Sequence, residues 1–141
     1  MGWDQYVILK FFNYTTDYSM SFSFPDSDAH SGYPFDASDL SKRTKIEYDS
    51  IRNKEIGPRG NWAYGQTGKQ NEWAGPQGSI TLWMKSEGSG WQSIATVEYE
   101  CPWSGSNSCN LEGIESDWVV TRSTISTSGN LGWVNIMVRH E

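Results

Sequence analysis

Apolar and polar residues alternate along several stretches of the chain. In "YSMSFSF", Tyr18, Met20, Phe22 and Phe24 fall on one side and Ser19, Ser21 and Ser23 on the other. A side-chain period of two is the signature of a strand with one buried face, and Pro25 ends it. "GSITLWMK" places Ile80, Leu82 and Met84 inward, against Thr81, Trp83 and Lys85. "WQSIATVEYEC" places Ala95, Val97, Tyr99 and Cys101 on one face, with Thr96, Glu98 and Glu100 opposite. "LGWVNIMVRH" turns Val134, Ile136 and Val138 in and Trp133, Asn135, Met137 and Arg139 out. "VILKFFNY", "TKIEYDS" and "DWVVTRSTI" are shorter strand candidates.

No segment sustains a helical period. Turn-forming clusters such as "PDSD", "GPRG", "EGSG" and "TSGN" separate the strands at short intervals. Short alternating strands with frequent turns predict an all-β fold, a single antiparallel β-sandwich domain over residues 1–141. Two stretches read as irregular: Pro25 to Ser41, and the Gly-rich Gly57 to Gly78, which carries Trp62, Tyr64 and Trp73.

Composition sharpens this picture. Eight Trp, seven Tyr and five Phe in 141 residues exceed what a core of this size needs, so some should face outward. A net charge of −6 argues against a nucleic-acid partner, because the phosphate backbone would be repelled. No apolar run is long enough for a membrane-spanning helix. "MGWDQYVILKFF" has an acid and no basic region ahead of its apolar run, so no secretory signal is expected there.

The residue pattern offers no catalytic machinery. His30 lies in a polar loop and His140 at a strand end, and no Gly-x-Ser-x-Gly elbow or phosphate loop occurs. Neither histidine has the closely spaced partners that zinc requires. Asp26, Asp28, Asp36 and Asp39 are read as capping carboxylates of a solvated loop, since they do not match a calcium-loop pattern. No enzyme activity, cofactor or metal is expected.

Cys101 and Cys109, the two cysteines of the chain, flank "PWSGSNS". In a hairpin centred on Gly105 they would face each other, at a spacing suited to a disulfide. Closing that loop would contribute about 2–3 kcal/mol. Two reduced thiols, one of them buried, are the alternative. Pro102 cannot donate to a ladder, so the strand ends there and Trp103 falls at a turn, either as an exposed contact or as a plug over the core.

These residues carry a family resemblance. "ECPWSGSN" resembles the Trp/Tyr-x-Cys-Pro-Trp-Gly-Ser-x-x-Asn segment of the aegerolysins, small acidic β-sandwich proteins of fungi and bacteria. "DQYVILKFFN" resembles their first strand, with Tyr6 where Trp is frequent. "GPQGSITLW" and "SDWVVTRSTISTSGNLGWVNIMV" resemble later segments in the same order, so the likeness spans essentially the whole chain. Two features depart from the family. Tyr64 to Gln66 stand where a Cys-Gly-Arg is common, followed by the inserted "TGKQNEWA". Cys109 is not a usual family position.

The resemblance implies a non-catalytic protein that recognises membrane lipids of the sphingolipid or sterol class. It also implies the small component of a two-component pore-forming cytolysin or insecticidal toxin. Such a protein works with a larger pore-forming protein, outside the producing cell at a target membrane, and self-association is a further option. We assign lipid contact to Trp62, Tyr64, Trp73, Tyr99 and Trp103, with the long Gly-rich loop brought beside the Cys-Pro-Trp turn. The competing classes are a carbohydrate-binding β-sandwich, because Trp and Tyr also stack on sugar rings, and a structural protein with its aromatics at subunit contacts.

Overall fold

The computed structural model describes residues 5–24, 30–69 and 73–141. Among the described residues, nine strands build two facing sheets and one short helix lies beside them. The strands are β1 (Tyr6–Asn13), β2 (Tyr18–Ser23), β3 (Tyr33–Asp36), β4 (Asn61–Thr67), β5 (Gln77–Ser86), β6 (Gln92–Glu100), β7 (Ser108–Glu112), β8 (Trp118–Arg122) and β9 (Gly132–His140). The helix α1 (Tyr48–Arg52) lies between β3 and β4. One sheet runs β3-β4-β1-β9-β8 and the other β2-β5-β6-β7. Among these nine strands every pairing is antiparallel except β1 with β9.

The core lies between the sheets and is supplied by the alternating positions. Met20 and Phe22 from β2 meet Ile80, Leu82 and Met84 from β5, Val97 and Tyr99 from β6, and Val134, Ile136 and Val138 from β9. The β5–β6 register shifts between Leu82 and Trp83, which lets both Ile94 and Ala95 turn inward. Such a bulge adds one residue to a strand and breaks its alternation locally.

β1 is buried on both faces. Val7, Leu9 and Phe11 enter the core, while Ile8 on the outer face is also fully buried. The register explains this. Phe35 of β3, Gly65 of β4, Ile8 and Trp133 of β9 form one row across the outer face. A Cβ on Gly65 would sit 2.2 Å from the Phe35 ring, so the ring lies flat in the space that this glycine leaves.

The structure revises three sequence-based expectations. "TKIEYDS" is not a strand: Lys45 makes an isolated bridge to Phe35, and the chain then coils into α1, which buries Ile51 and pairs Arg52 with Asp49. The stretch Pro25 to Ser41 contains β3, and Gly57 to Gly78 contains all of β4. Asp36 and Asp39 cap local turns, accepting from Ser38 and Thr44. Asp26 and Asp28 lie outside the described residues.

Candidate functional site

One pole of the sandwich gathers the loop after β4, the β6–β7 turn, the β8–β9 loop and the segment entering β1. Gly68 N donates to Gln5 O, and Cys101 N donates to Pro76 O at 2.9 Å. Asn107 ties the β6–β7 turn to the β8–β9 loop: its N donates to Thr127 O, and its Nδ2 reaches Ser126 O and Gly129 O. Gly75 crosses directly over Cys101, where a Cβ would lie 1.8 Å from the Cys101 carbonyl oxygen. Only glycine permits that approach, and the crossing holds the two loops together.

Their juxtaposition produces an aromatic pair. Trp73 and Trp103 pack edge to face, with ring centroids 5.0 Å apart and planes at 78°. Trp73 is 68% exposed, while Trp103 is half-buried beneath it. A small cleft of about 230 Å³ opens between this pair and Ser31, Gln77 and Glu100. The pair therefore offers apolar surface in a polar surround.

The other three assigned contacts are placed elsewhere. Tyr64 and Tyr99 are 1% and 2% exposed and form the centre of the core. The physical reason is parity: Tyr64 opposes Leu9 on β1 and Tyr99 opposes Cys109 on β7, all inward positions. Burial pushes the titration of both upward, and the neighbouring Tyr64 phenol adds to the rise at Tyr99. Neither can touch a membrane in this fold. Trp62 lies about 16 Å down β4 from the pole. It is half-buried against Phe22 and Tyr64, with the Lys54 ammonium over its ring.

The cysteines do not face each other. Cys109 opposes Tyr99, and the neighbouring Glu100–Ser108 pair puts Cys101 opposite Asn107. The two thiols are thus diagonal, and both are free and buried. The Cys101 sulfur sits 3.1 Å from Gln5 Oε1 and 3.2 Å from Gly129 O, so it serves the loop junction. Burial raises the Cys109 thiol to about 11 and shifts Cys101 in the same direction.

His140 packs against Tyr18 and Trp118 at the opposite pole, and His30 Nε2 lies 3.0 Å from Ser79 O. No cluster of metal-ligating side chains occurs among the described residues. The sequence reading missed Gln77 and Glu100 beside the aromatic pair. Their outward alternation on β5 and β6 marks them as surface residues, but only the folded loops bring Trp73 to them.

Together these features define a small all-β sandwich that presents aromatic side chains from loops at one pole. The chain belongs to the aegerolysin family, whose family model matches residues 26–141. Aegerolysins bind membrane lipids and are typically non-enzymatic. The fold is similar to that of IP-1A from Alcaligenes faecalis, at a TM-score of 0.76 and 19% identity, covering 99% of this chain and 94% of that one. It is also similar to RahU, solved with a TRIS molecule, at a TM-score of 0.78 and 12% identity, covering 99% of this chain and 97% of that one. A search of the curated proteins finds no match.

Proposed function

We propose that the Trp73–Trp103 pole is the membrane-contacting surface, and that the chain is the lipid-recognising small component of a two-component pore-forming toxin. The observation that carries the first part is the exposed edge-to-face pair on two loops pinned together at Gly75. An indole at a lipid interface exchanges water for an environment that suits its apolar body and its polar N–H. Burying one contributes about 1.5–3 kcal/mol, so two neighbouring indoles entering the interface together give firm attachment. An acidic protein gains nothing from anionic headgroups, which favours neutral or zwitterionic sphingolipids with or without sterol.

The second part rests on the chain's polar build. No described helix is long and apolar enough to cross a bilayer. A larger partner would supply the pore, and the complex would act from outside the target cell. The aegerolysin alone is expected to bind sphingolipid vesicles without releasing an entrapped dye. Release from pure vesicles with no second protein would overturn this part.

Trp73→Ala is expected to weaken sedimentation with sphingomyelin–cholesterol vesicles about tenfold or more. Its melting temperature should barely move, since the residue is largely exposed. Undiminished vesicle binding by the double variant Trp73→Ala/Trp103→Ala would remove this pole from the mechanism.

A further inference from the structure

A second depression adjoins the aromatic cleft. It lies on the outer face of the four-stranded sheet, encloses about 290 Å³, and shares Gln77 and Glu100 with the cleft. Two cross-strand rows form it. Gln77 of β5, Glu100 of β6 and Ser108 of β7 make the first, and Ser79, Glu98 and Asn110 make the second. Adjacent strands are about 4.8 Å apart and successive outward residues about 6.8 Å apart, so the six side chains cover roughly 10 by 7 Å. That is the scale of a hexopyranose ring.

The chemistry of the grid narrows its ligand. Carboxylates accept, and side-chain amides both accept and donate, which together suits vicinal hydroxyls, and the two serines add adaptable donors. No protein hydrogen bond among the described residues engages the side chains of Gln77, Ser79, Glu100, Ser108 or Asn110, so their capacity is free for a ligand. No lysine or arginine lines the depression. A phosphate would meet Glu98 and Glu100 with no compensating cation. A neutral polyol meets no such penalty. Where the depression joins the cleft, Trp73 and Trp103 supply the apolar surface on which the C–H face of a sugar stacks.

The geometry points to a binding groove for a neutral hexopyranose, formed by the Gln77/Glu100/Ser108 and Ser79/Glu98/Asn110 rows and bounded by the Trp73–Trp103 pair. The sugar can be the headgroup of a glycosyl-lipid or part of a soluble glycan. In the first case the inference deepens the membrane reading: the indoles enter the interface while the groove holds the head.

The test compares wild type, Trp73→Ala and the double variant Glu98→Ala/Asn110→Ala, whose substituted residues are exposed and line the groove but not the aromatic cleft. Vesicles of phosphatidylcholine and cholesterol are used plain, or doped with glucosylceramide or galactosylceramide. In solution, saturation transfer from the protein to methyl glucoside, methyl galactoside and N-acetylglucosamine is measured. Wild type should bind at least one doped vesicle about tenfold better than plain ones, the equivalent of one or two lost hydrogen bonds in reverse. The double variant should lose that gain while keeping its plain-vesicle binding. Transfer to a free sugar, abolished in the double variant, would show that soluble glycans also suffice. Transfer to none, with the doped-vesicle gain present, would assign the lipid headgroup as the source.

The groove reading is overturned if wild type binds plain vesicles but gains from neither glycosyl-lipid and shows no transfer. It is also overturned if the gain survives in the double variant. If no vesicle binds at all, the membrane reading fails separately. The solution arm then decides: transfer lost in the double variant supports the groove, and absence of transfer rejects it.

Discussion

The protein is expected to unfold on the alkaline side, in a transition driven by two buried phenols and two buried thiols. Tyr64 and Tyr99 are fully enclosed, and burial raises both above the ordinary value of 10.0. In the unfolded chain they lose their protons near pH 10; in the folded chain they keep them. The unfolded state then binds fewer protons than the native state. The stability they give is therefore whole below pH 10 and is lost as pH rises above it.

Each fully buried phenol removes about 1.4 kcal/mol per pH unit in that range, so the pair removes about 3 kcal/mol per unit. The thiols start earlier, from their ordinary value of 9.0, and the Cys109 contribution levels off near 11. By pH 12 the phenols and Cys109 together remove about 8 kcal/mol, which is most of a typical total stability of about 5–15 kcal/mol. Melting temperature should be flat to about pH 9 and fall steeply beyond it. Tyr99→Phe should shallow the alkaline limb by one proton. It should not weaken the protein at neutral pH, because the hydroxyl it removes has no hydrogen-bond partner. A flat profile to pH 12, or ordinary tyrosinate titration of all seven tyrosines in the folded state, would contradict this account.

The second large effect belongs to Gly75→Ala. Its Cβ would meet the Cys101 carbonyl oxygen at 1.8 Å and the carbonyl carbon at 2.9 Å. Both are backbone atoms, so the clash cannot be relieved by a side-chain rotation. One loop must move, and the Cys101 N to Pro76 O hydrogen bond goes with it. The cost should be about 3 kcal/mol, the upper end of ordinary overpacking. Trp73 and Trp103 should separate, so vesicle binding falls in the protein that still folds. Gly90→Ala is the control. Nothing lies within 4 Å of its added Cβ, so stability should stay level or rise by about 0.4–1 kcal/mol. Equal melting temperatures for Gly75→Ala and wild type would show that the crossing is not rigid.

The strands with one dry face were legible because their alternation records which side is buried. β2, β5, β6 and β9 follow it over most of their length. β4 was hidden because its glycine looks like a loop signal. Gly65 instead makes room for Phe35, a residue far away in sequence and itself in a stretch read as irregular. α1 was hidden because Ile46 and Tyr48 mimic a strand period, while one turn of helix is too short to display its own.

The site was half legible. Cys-Pro-Trp marks a turn by itself, and the Gly-rich loop announces exposed aromatics. Which aromatics meet depends on the Gly75 crossing, a long-range contact with no local signature. Tyr64 and Tyr99 show the same limit from the other side. Tyr99 follows the inward alternation of β6, and that parity, rather than its place next to Cys-Pro-Trp, decides its surroundings.

The parallel pairing of β1 with β9 settles which way the molecule can be tethered. β1 starts beside the aromatic pole, as the Gln5 contacts to Gly68 and Cys101 show. β9 runs alongside it in the same direction and ends at the far pole, where Glu141 N bonds Asp117 O. The two strand ends are thus about 30 Å apart, one at each pole. A fluorophore, affinity handle or fused domain joined after His140 hangs from the side away from the indoles and leaves them unobstructed. The same cargo joined ahead of Tyr6 crowds the surface it is meant to report on.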